Sequence, residues 1–236
     1  MSTPNPDVTA GRDSTPEGRP DMTSDVDQIA HRLNDSLGGS DNPSSASWLF
    51  GPLLQLLAQG QPVTTDQLAD AAASTVDQVR NALADRPDTE YDEQGRIVGS
   101  GLTLRPTPHR FEIDGRQLYT WCALDTLIFP AVLGRTAHVT SPCRGTGQPV
   151  YLTIGTDGIT SVEPTTAVVS IVTPDTPASI RAAFCNHVHF FATRAAAGPW
   201  LAENPSATII SVADAYQLGR PLAQTLLGGD TPPGCC

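Results

Sequence analysis

The chain has 236 residues with 39% apolar and 17% charged side chains, a composition typical of a globular protein with one or two domains. Its 25 acidic residues outnumber 14 basic residues, all of them arginine, and the formal net charge is −11. This charge disfavours binding to nucleic acid and to anionic membranes. No apolar run reaches the roughly 18 residues that a membrane-spanning helix needs.

The N-terminus does not show the basic patch and apolar core of a secretory signal, so we expect a cytoplasmic protein. In that compartment, the 5 cysteines are expected to be free thiols or metal ligands rather than a disulfide framework.

Residues 1–23 are rich in proline and contain few large apolar side chains. Such a stretch buries too little surface to offset the entropy lost on ordering, so we expect a disordered tail. From Ser24 onward apolar residues recur with helical spacing, and we expect a domain over residues 24–101. Its predicted helices begin near Ser24, cover Ser47–Ala58, follow a cap at Thr64 or Thr65, and open at a capping box over Thr75–Gln78.

A hairpin is predicted after these helices, over Glu90–Gly99, with its turn near Gly95. Helices followed by a hairpin indicate a winged-helix-like module. The helix that would read DNA has a mixed face that includes Asp77 and Asp85, and this face has little charge to neutralise phosphates. We therefore expect the module to have a structural role.

Residues 102–228 show a pattern of short strands, typical of an α+β domain with a mostly antiparallel sheet. Asp114-Gly115 is a two-residue turn signal within a hairpin over Phe111–Tyr119. An apolar segment, Trp121–Leu133, follows this hairpin. The other predicted elements are strands at Thr136–Thr140, Val150–Ile154, Ile159–Glu163, Ala167–Val172, Asn186–Ala192 and Thr208–Val212, and helices from Thr176 to Phe184 and from Asp214 to Leu227. Residues 229–236 are expected to be a flexible tail.

A thiol and a carboxylate stand three residues apart in the apolar segment, at Cys122 and Asp125. If the segment is helical, the two side chains share one face. A carboxylate buried without a partner responds with a pKa above its reference value of about 3.9, which would let Asp125 donate a proton beside the thiol. Alternatively, Asp125 caps a turn or pairs with a buried arginine such as Arg135, and Cys122 is a small core residue.

A second candidate site lies in the segment Ala183–Phe191. If this segment is a strand, Cys185, His187 and His189 lie on one face. Such a face could bind zinc, although zinc takes tetrahedral ligands and histidines on strands more often belong to the core or an interface. A cysteine hydrolase that pairs Cys185 with one of these histidines is a further alternative, but near neighbours along a strand do not aim at each other easily.

Three further cysteines lie in turn-rich segments. Cys143, in Ser141–Gly147, fits a buried structural thiol. Cys235 and Cys236 end the chain, where an adjacent pair could chelate a soft cation or simply be a frayed end. The residues alone leave both interpretations of this pair open.

The sequence strongly resembles the organomercurial (alkylmercury) lyases from about Ser24 to the last predicted helix. The stretches that carry this resemblance are long and specific. They are Thr89–Asp92, Gly101–Arg105, Phe111–Asp114, Leu118–Pro130, Gly134–Ala137 and Phe184–Ala192. The resemblance implies an N-terminal winged-helix-like bundle packed on an α+β catalytic domain.

The implied activity is protonolysis of a carbon–mercury bond, which releases a hydrocarbon and Hg(II). By resemblance, Cys122 and Cys185 are the catalytic cysteines and mercury ligands, Asp125 is the proton donor and also lies at the metal, and Cys143 is a structural cysteine. Thiolates suit this role because Hg(II) is a soft cation. Some relatives have cysteine where this chain has Asn186, which suggests that this position is dispensable for the chemistry.

The resemblance also implies the molecules that the chain meets. We expect an organomercurial substrate, small external thiols that remove Hg(II), no resting cofactor, and no nucleic-acid or membrane partner. Mercuric reductase is a candidate acceptor of Hg(II), with the pair Cys235-Cys236 as a possible relay. The main alternative is a non-enzymatic soft-metal sensor or metallochaperone with a winged-helix domain, which the acidic charge and the absence of lysine disfavour.

Overall fold

The structure, a computed structural model, describes residues 28–29, 47–173 and 179–227. The helices are α1 Ser47–Leu57, α2 Thr65–Ala71, α3 Val76–Ala84, α4 Ala123–Leu133, α5 Ile180–Ala183, α6 Arg194–Glu203 and α7 Val212–Leu227, with a 3-10 turn at Cys185–His187. The strands are β1 Glu90–Tyr91, β2 Ile97–Ser100, β3 Leu102–Thr103, β4 His109–Ile113, β5 Arg116–Thr120, β6 Ala137–Pro142, β7 Pro149–Ile154, β8 Ile159–Glu163, β9 Val168–Ile171, β10 Phe190–Phe191 and β11 Thr208–Ser211.

Several predicted elements fall outside these ranges. They are the tail over residues 1–23, the tail over residues 229–236 and the predicted helix start at Thr176. Of the first predicted helix, Gln28 and Ile29 are described, and both are helical. Among the described residues, no helix combines the length and the apolar character that crossing a bilayer requires.

Helices α2 and α3 both begin with a capping box. The side chain of Thr75 accepts from the main-chain N–H of Gln78 at 3.2 Å, and the Gln78 side chain accepts from the N–H of Thr75 at 3.0 Å. Thr64 and Gln67 repeat this reciprocal pair at the start of α2. A cap of this kind contributes about 1 kcal/mol. The capping box predicted at Thr75–Gln78 and the predicted cap at Thr64 are thus confirmed.

The larger sheet joins the two parts of the chain. Its strand order is β1-β2-β3-β5-β4-β6-β7-β8, and every neighbouring pair is antiparallel. The predicted hairpin near Gly95 supplies β1 and β2, so the strands of the N-terminal module continue into the sheet of the second part. The predicted α+β class with a mostly antiparallel sheet is confirmed.

The turn between β4 and β5 forms as its residue types predict. Asp114 and Gly115 have positive φ angles of 50° and 72°, which is the backbone of a type I′ hairpin turn. Arg135 donates to the carboxylate of Asp114 at 2.8 Å. The predicted alternative in which Arg135 pairs with Asp125 is therefore wrong, since Arg135 is engaged at this turn.

Helix α4 forms the centre of the helical layer. It is buried around almost its whole circumference, with Leu124, Leu127 and Phe129 each at most 2% exposed. Both α7 and α1 pack against α4. A helix that is buried on all sides has a continuous apolar sequence. Asp125 stands out because it is the only carboxylate within this helix.

A smaller sheet of order β10-β9-β11 supports the segment around Cys185. The prediction of an extended strand over Asn186–Ala192 is wrong for its first part. Residues Cys185–His187 form the 3-10 turn, and only Phe190–Phe191 pair with β9. The turn removes the predicted single face shared by Cys185, His187 and His189, because that face requires strand geometry throughout.

Candidate active site

The start of α4 places a thiol and a carboxylate side by side. Cys122 occupies the N-cap position with extended backbone, and Asp125 is the third residue of the helix. The Asp125 carboxylate accepts the main-chain N–H of Cys122 at 3.1 Å. This local bond explains why an aspartate is tolerated at the first turn, where it satisfies a helix N–H that would otherwise lack a partner.

The backbone before α4 is fixed by buried polar contacts. Thr120 is fully buried, and its hydroxyl donates to the carbonyl of Cys122 at 2.9 Å. The N–H of Trp121 donates to the carbonyl of Gly101 at 2.9 Å. Gly101 has a φ of 80°, and a Cβ there would lie 2.8 Å from the Phe129 ring, so this close approach requires glycine.

Cys185 reaches the same point from the distant 3-10 turn. The turn is anchored by Ser170 of β9, a fully buried residue whose hydroxyl donates to the carbonyl of His187 at 2.8 Å and accepts from the N–H of His189 at 2.9 Å. The N–H of Ala123 donates to the carbonyl of Val188 at 3.1 Å, which ties the turn directly to the start of α4.

These anchors bring three chemically active groups together. The sulfurs of Cys122 and Cys185 and a carboxylate oxygen of Asp125 all lie within 4.8 Å of one another. Among the residues that the structure describes, this is the only group of three or more His, Cys, Asp or Glu side chains close enough to hold one metal ion. Cys122 is 0% exposed and Cys185 is 4% exposed.

Burial changes the acidity of the carboxylic acid at this site. Desolvation raises the pKa of Asp125 to about 7, against hydrogen bonds from the Cys122 thiol and from the N–H groups of Cys122 and Trp121, which lower it. An acid with a pKa near 7 can both accept and donate a proton at neutral pH. This upward shift is one of the alternatives that the sequence left open for Asp125, and the predicted capping role is also present, since the carboxylate accepts the N–H of Cys122.

Burial makes both thiols harder to ionise than a free cysteine. The pKa of Cys122 lies well above its usual value because of desolvation, the hydrogen bond to Cys185 and the nearby Asp125 carboxylate. The hydrogen bond from Cys122 lowers the pKa of Cys185, but burial and the carboxylates of Asp125 and Asp88 outweigh it and raise the pKa, while Arg181 opposes them. Each sulfur must therefore lose its proton as it bonds to a metal.

The histidines of the second candidate segment lie away from this group. Burial lowers the pKa of His189 to about 4. The imidazole ring packs edge-on against the ring of Trp200, with 5.7 Å between the ring centroids. Neither His187 nor His189 belongs to the described group of possible metal ligands around Cys185. The arrangement does not support the zinc or cysteine-hydrolase alternatives, which require a histidine at the sulfur.

Of the other cysteines, Cys143 is described and does not belong to this group. Cys143 is buried at the end of β6, where N–H and hydroxyl groups of Thr146, Ala192 and Gly145 lower its pKa against the effect of desolvation. Cys235 and Cys236 lie outside the described residues. Sequence reasoning missed the supporting residues Thr120 and Ser170, since a buried hydroxyl that bonds main-chain groups leaves no recognisable pattern.

Comparisons with known proteins find relatives over most of the chain. A family described as alkylmercury lyase matches residues 102–224, and the helix-turn-helix domain of alkylmercury lyase matches residues 28–101. An alkylmercury lyase of Streptomyces lividans is 68% identical over 215 residues, which is 91% of this chain and 100% of that protein. One of Pseudomonas putida is 46% identical over 196 residues, which is 83% of this chain and 92% of that protein.

A solved structure shows the same fold. The crystal structure of the mercury-bound form of MerB2 superposes with a TM-score of 0.67 at 24% sequence identity and covers 86% of this chain and 99% of that one. The two matching family domains together span most of the described residues. The relatives match with high identity over nearly their full lengths. This chain belongs to the alkylmercury lyase family, a family of enzymes.

Proposed function

We propose that the chain cleaves the carbon–mercury bond of an organomercurial by protonolysis, with Cys122 and Cys185 as mercury ligands and Asp125 as proton donor. The observation that carries this proposal is the approach of two sulfurs and one carboxylate oxygen to within 4.8 Å of one another. A single mercury atom can contact both sulfurs while its carbon lies near the carboxylic acid. Soft thiolates bind mercury in preference to oxygen or nitrogen donors.

The first step is capture of the substrate by one sulfur. The Cys185 sulfur displaces the weaker anionic ligand X of the substrate R–Hg–X, the thiol proton leaves with that ligand as HX, and a sulfur–mercury bond forms. The hydrogen bond from Cys122 and the nearby Arg181 oppose the rise in the pKa of Cys185 that burial, Asp125 and Asp88 cause. Cys122 is still protonated at this stage, since burial holds its pKa well above the usual value.

The second step joins the other sulfur and moves a proton. As the Cys122 sulfur bonds to mercury, its proton passes to the ionised carboxylate of Asp125, with which it shares a hydrogen bond. Two sulfur ligands increase the electron density on mercury and make the attached carbon more carbanion-like. Asp125, with a pKa of about 7, is then a neutral acid placed beside that carbon.

The third step breaks the carbon–mercury bond. Asp125 delivers its proton to the carbon, the bonding electron pair stays with carbon as the C–H bond forms, and the hydrocarbon leaves. Hg(II) remains on the two sulfurs and Asp125 is ionised again, so protons and charges balance over the cycle. External thiols then remove Hg(II), and no resting cofactor takes part. Transfer to mercuric reductase through Cys235 and Cys236 stays a prediction.

Headspace detection of benzene tests this proposal. The purified chain with phenylmercuric acetate and excess thiol should release benzene, and Cys122→Ser or Cys185→Ser should reduce the rate to background, because a hydroxyl is a poor ligand for mercury. The Asp125→Asn variant should bind phenylmercury without cleaving it, since the amide has no acidic proton to deliver. The matched control replaces both terminal thiols, Cys235→Ser with Cys236→Ser, and should retain the rate.

Benzene release at a near-normal rate by either site cysteine variant would contradict the two-thiolate scheme. Rapid cleavage by Asp125→Asn would exclude Asp125 as the proton donor. Far-UV circular dichroism of each variant checks that the fold is retained, so that a lost rate reports the chemistry.

A further inference from the structure

Asp88, in the loop between α3 and β1 of the N-terminal module, contacts the segment that leads to Cys185. One carboxylate oxygen accepts from the hydroxyl of Ser179 at 2.5 Å, and the other accepts from the main-chain N–H of Arg181 at 3.1 Å. Both oxygens of a single side chain are thus used to hold the start of α5. These contacts join residues that are 91 and 93 positions apart in the sequence.

The same Ser179 hydroxyl also caps α5. Ser179 is the N-cap of α5, and its oxygen accepts from the N–H of Ala182 at 3.0 Å. A hydroxyl can donate its proton to Asp88 and accept from Ala182 at the same time. Helix α5 has only 4 residues and leads directly through Phe184 into the 3-10 turn of Cys185. A helix this short has little stability of its own, so its position depends on such tertiary contacts.

A second carboxylate of the module reinforces the first. Glu90, which is 8% exposed, pairs with the guanidinium of Arg181 and accepts from the hydroxyl of Thr103 at 2.5 Å. The guanidinium lies over the Trp121 ring, 4.7 Å from its centroid, and Trp121 directly precedes Cys122. The segments of both site cysteines therefore contact one cluster of charged residues that starts in the N-terminal module.

We propose that Asp88 is a positioning residue for the carbon–mercury cleavage proposed above, and that through Ser179 and Arg181 it fixes where Cys185 lies relative to Cys122. The N-terminal module then serves the reaction directly, as a support for the second thiol. Ser170 and the N–H of Ala123 hold the other end of the same segment, so removal of Asp88 frees one of several anchors rather than unfolding the segment. Only the expected effect of Asp88 on the cleavage rate rests on the proposed function.

The first measurement compares steady-state cleavage of phenylmercury by the unsubstituted chain and by Asp88→Ala and Asp88→Asn. We expect kcat to fall about 10- to 100-fold in both variants, because displacements of about 1 Å in a reacting group have effects of that size. KM should change much less, since initial capture needs only one sulfur. The matched control, Asp77→Ala, removes an exposed carboxylate of the same module that pairs with Arg80, and it should leave both constants unchanged.

The second measurement does not depend on cleavage. Phenylarsine oxide condenses with two thiols to form two arsenic–sulfur bonds and releases water, so its affinity reports how well two sulfurs reach one atom. In a chain that also carries Cys235→Ser and Cys236→Ser, we expect Asp88→Ala to weaken this binding about tenfold or more. Ser179→Ala should weaken arsenical binding less than Asp88→Ala. The double variant Asp88→Ala with Ser179→Ala should bind the arsenical almost as well as Asp88→Ala alone, because the two residues act through one contact.

Arsenical affinity within about twofold of the reference in Asp88→Ala would overturn the proposal, as would additive losses in the double variant or an equal loss in Asp77→Ala. If the unsubstituted chain fails to release benzene, the proposed function fails while the arsenical measurement still decides the role of Asp88. If Asp88→Ala does not fold, the Asp88→Asn and Ser179→Ala variants supply the same comparison.

Discussion

Asp125 shows how one side chain serves both the helix and the site. As the third residue of α4 its carboxylate accepts the Cys122 N–H, a role that keeps it near the thiol. Its apolar neighbours in α4 and the protein around it desolvate the group and raise its pKa to about 7. Burial of an ionised carboxylate costs free energy, so the site carries a pH-dependent cost that an asparagine would not have.

This cost predicts a difference in the pH dependence of stability. The folded chain keeps a proton on Asp125 up to about pH 7, whereas the unfolded chain loses it near pH 3.8. In that window the unfolded chain binds fewer protons, so stability from this group is present below pH 3.8 and is lost as pH rises through 7. Relative to Asp125→Asn, the free energy of unfolding of the unsubstituted chain should fall by roughly 2–4 kcal/mol between pH 4 and pH 7.5.

Urea denaturation of both chains at several pH values measures this difference. The exposed carboxylate variant Asp77→Asn is the control and should follow the unsubstituted chain in parallel. If Asp125→Asn also runs parallel to the unsubstituted chain across this range, the pKa of Asp125 is not raised in the folded state.

Among the elements, the packing of α7 on α4 depends on a single small residue. A Cβ on Gly219 of α7 would overlap Cγ2 of Ile128 and lie 3.3 Å from Cδ1 of Leu124, both in α4. The absence of a side chain lets the two helices approach closely where α4 presents these branched side chains. Because α4 also carries Asp125, this contact helps to define the layer on which the site is built.

The Gly219→Ala variant should therefore destabilise the chain although alanine favours helices. The overlap costs about 1–3 kcal/mol, which exceeds the gain of up to about 1 kcal/mol from helix propensity. Gly198 of α6 is the matched control, because a Cβ there meets no atom within 4 Å, and Gly198→Ala should be neutral or stabilising. Thermal and urea unfolding compare the two; equal effects would show that α4 and α7 are not closely packed at Gly219.

At the scale of the whole molecule, the N-terminal module is integrated with the rest of the chain. Its strands β1 and β2 continue into the eight-stranded sheet, α1 packs on α4 and α7, and Asp88 and Glu90 contact the segment of Cys185. The whole chain carries a formal net charge of −11 and has no lysine. Both features indicate that the module contacts the catalytic part of its own chain rather than nucleic acid.

We therefore expect negligible affinity for DNA, in spite of the helix-turn-helix resemblance. An electrophoretic mobility shift assay with duplex DNA at about 0.15 M salt should show no complex at micromolar protein, because the chain offers few cations to replace condensed counterions. The same assay with added Hg(II) tests the sensor alternative. A specific, mercury-dependent shift would favour that alternative over a purely catalytic role.

Features that depend on neighbours in the sequence were predicted from the residues. The capping box at Thr75–Gln78 and the Asp114-Gly115 turn involve groups within four residues of each other, so the residue types alone specify them. The raised pKa of Asp125 was one of the alternatives that its apolar neighbours in one helix left open. The resemblance to a family added the expectation that Cys122 and Cys185 act together.

The local geometry around Cys185 was decided by tertiary contacts. Its apolar, histidine-containing segment predicts a strand, but hydrogen bonds to Ser170 and Ala123 hold a 3-10 turn instead. The bonds from Asp88 arise in another part of the chain and have no sequence pattern. The sequence by itself therefore determined the residue types, the local helices and turns and, through the family resemblance, the expectation that two sulfurs and one acid act together. Only the folded chain decided which contacts bring these groups to one point, since contacts between remote segments depend on packing that no local pattern encodes.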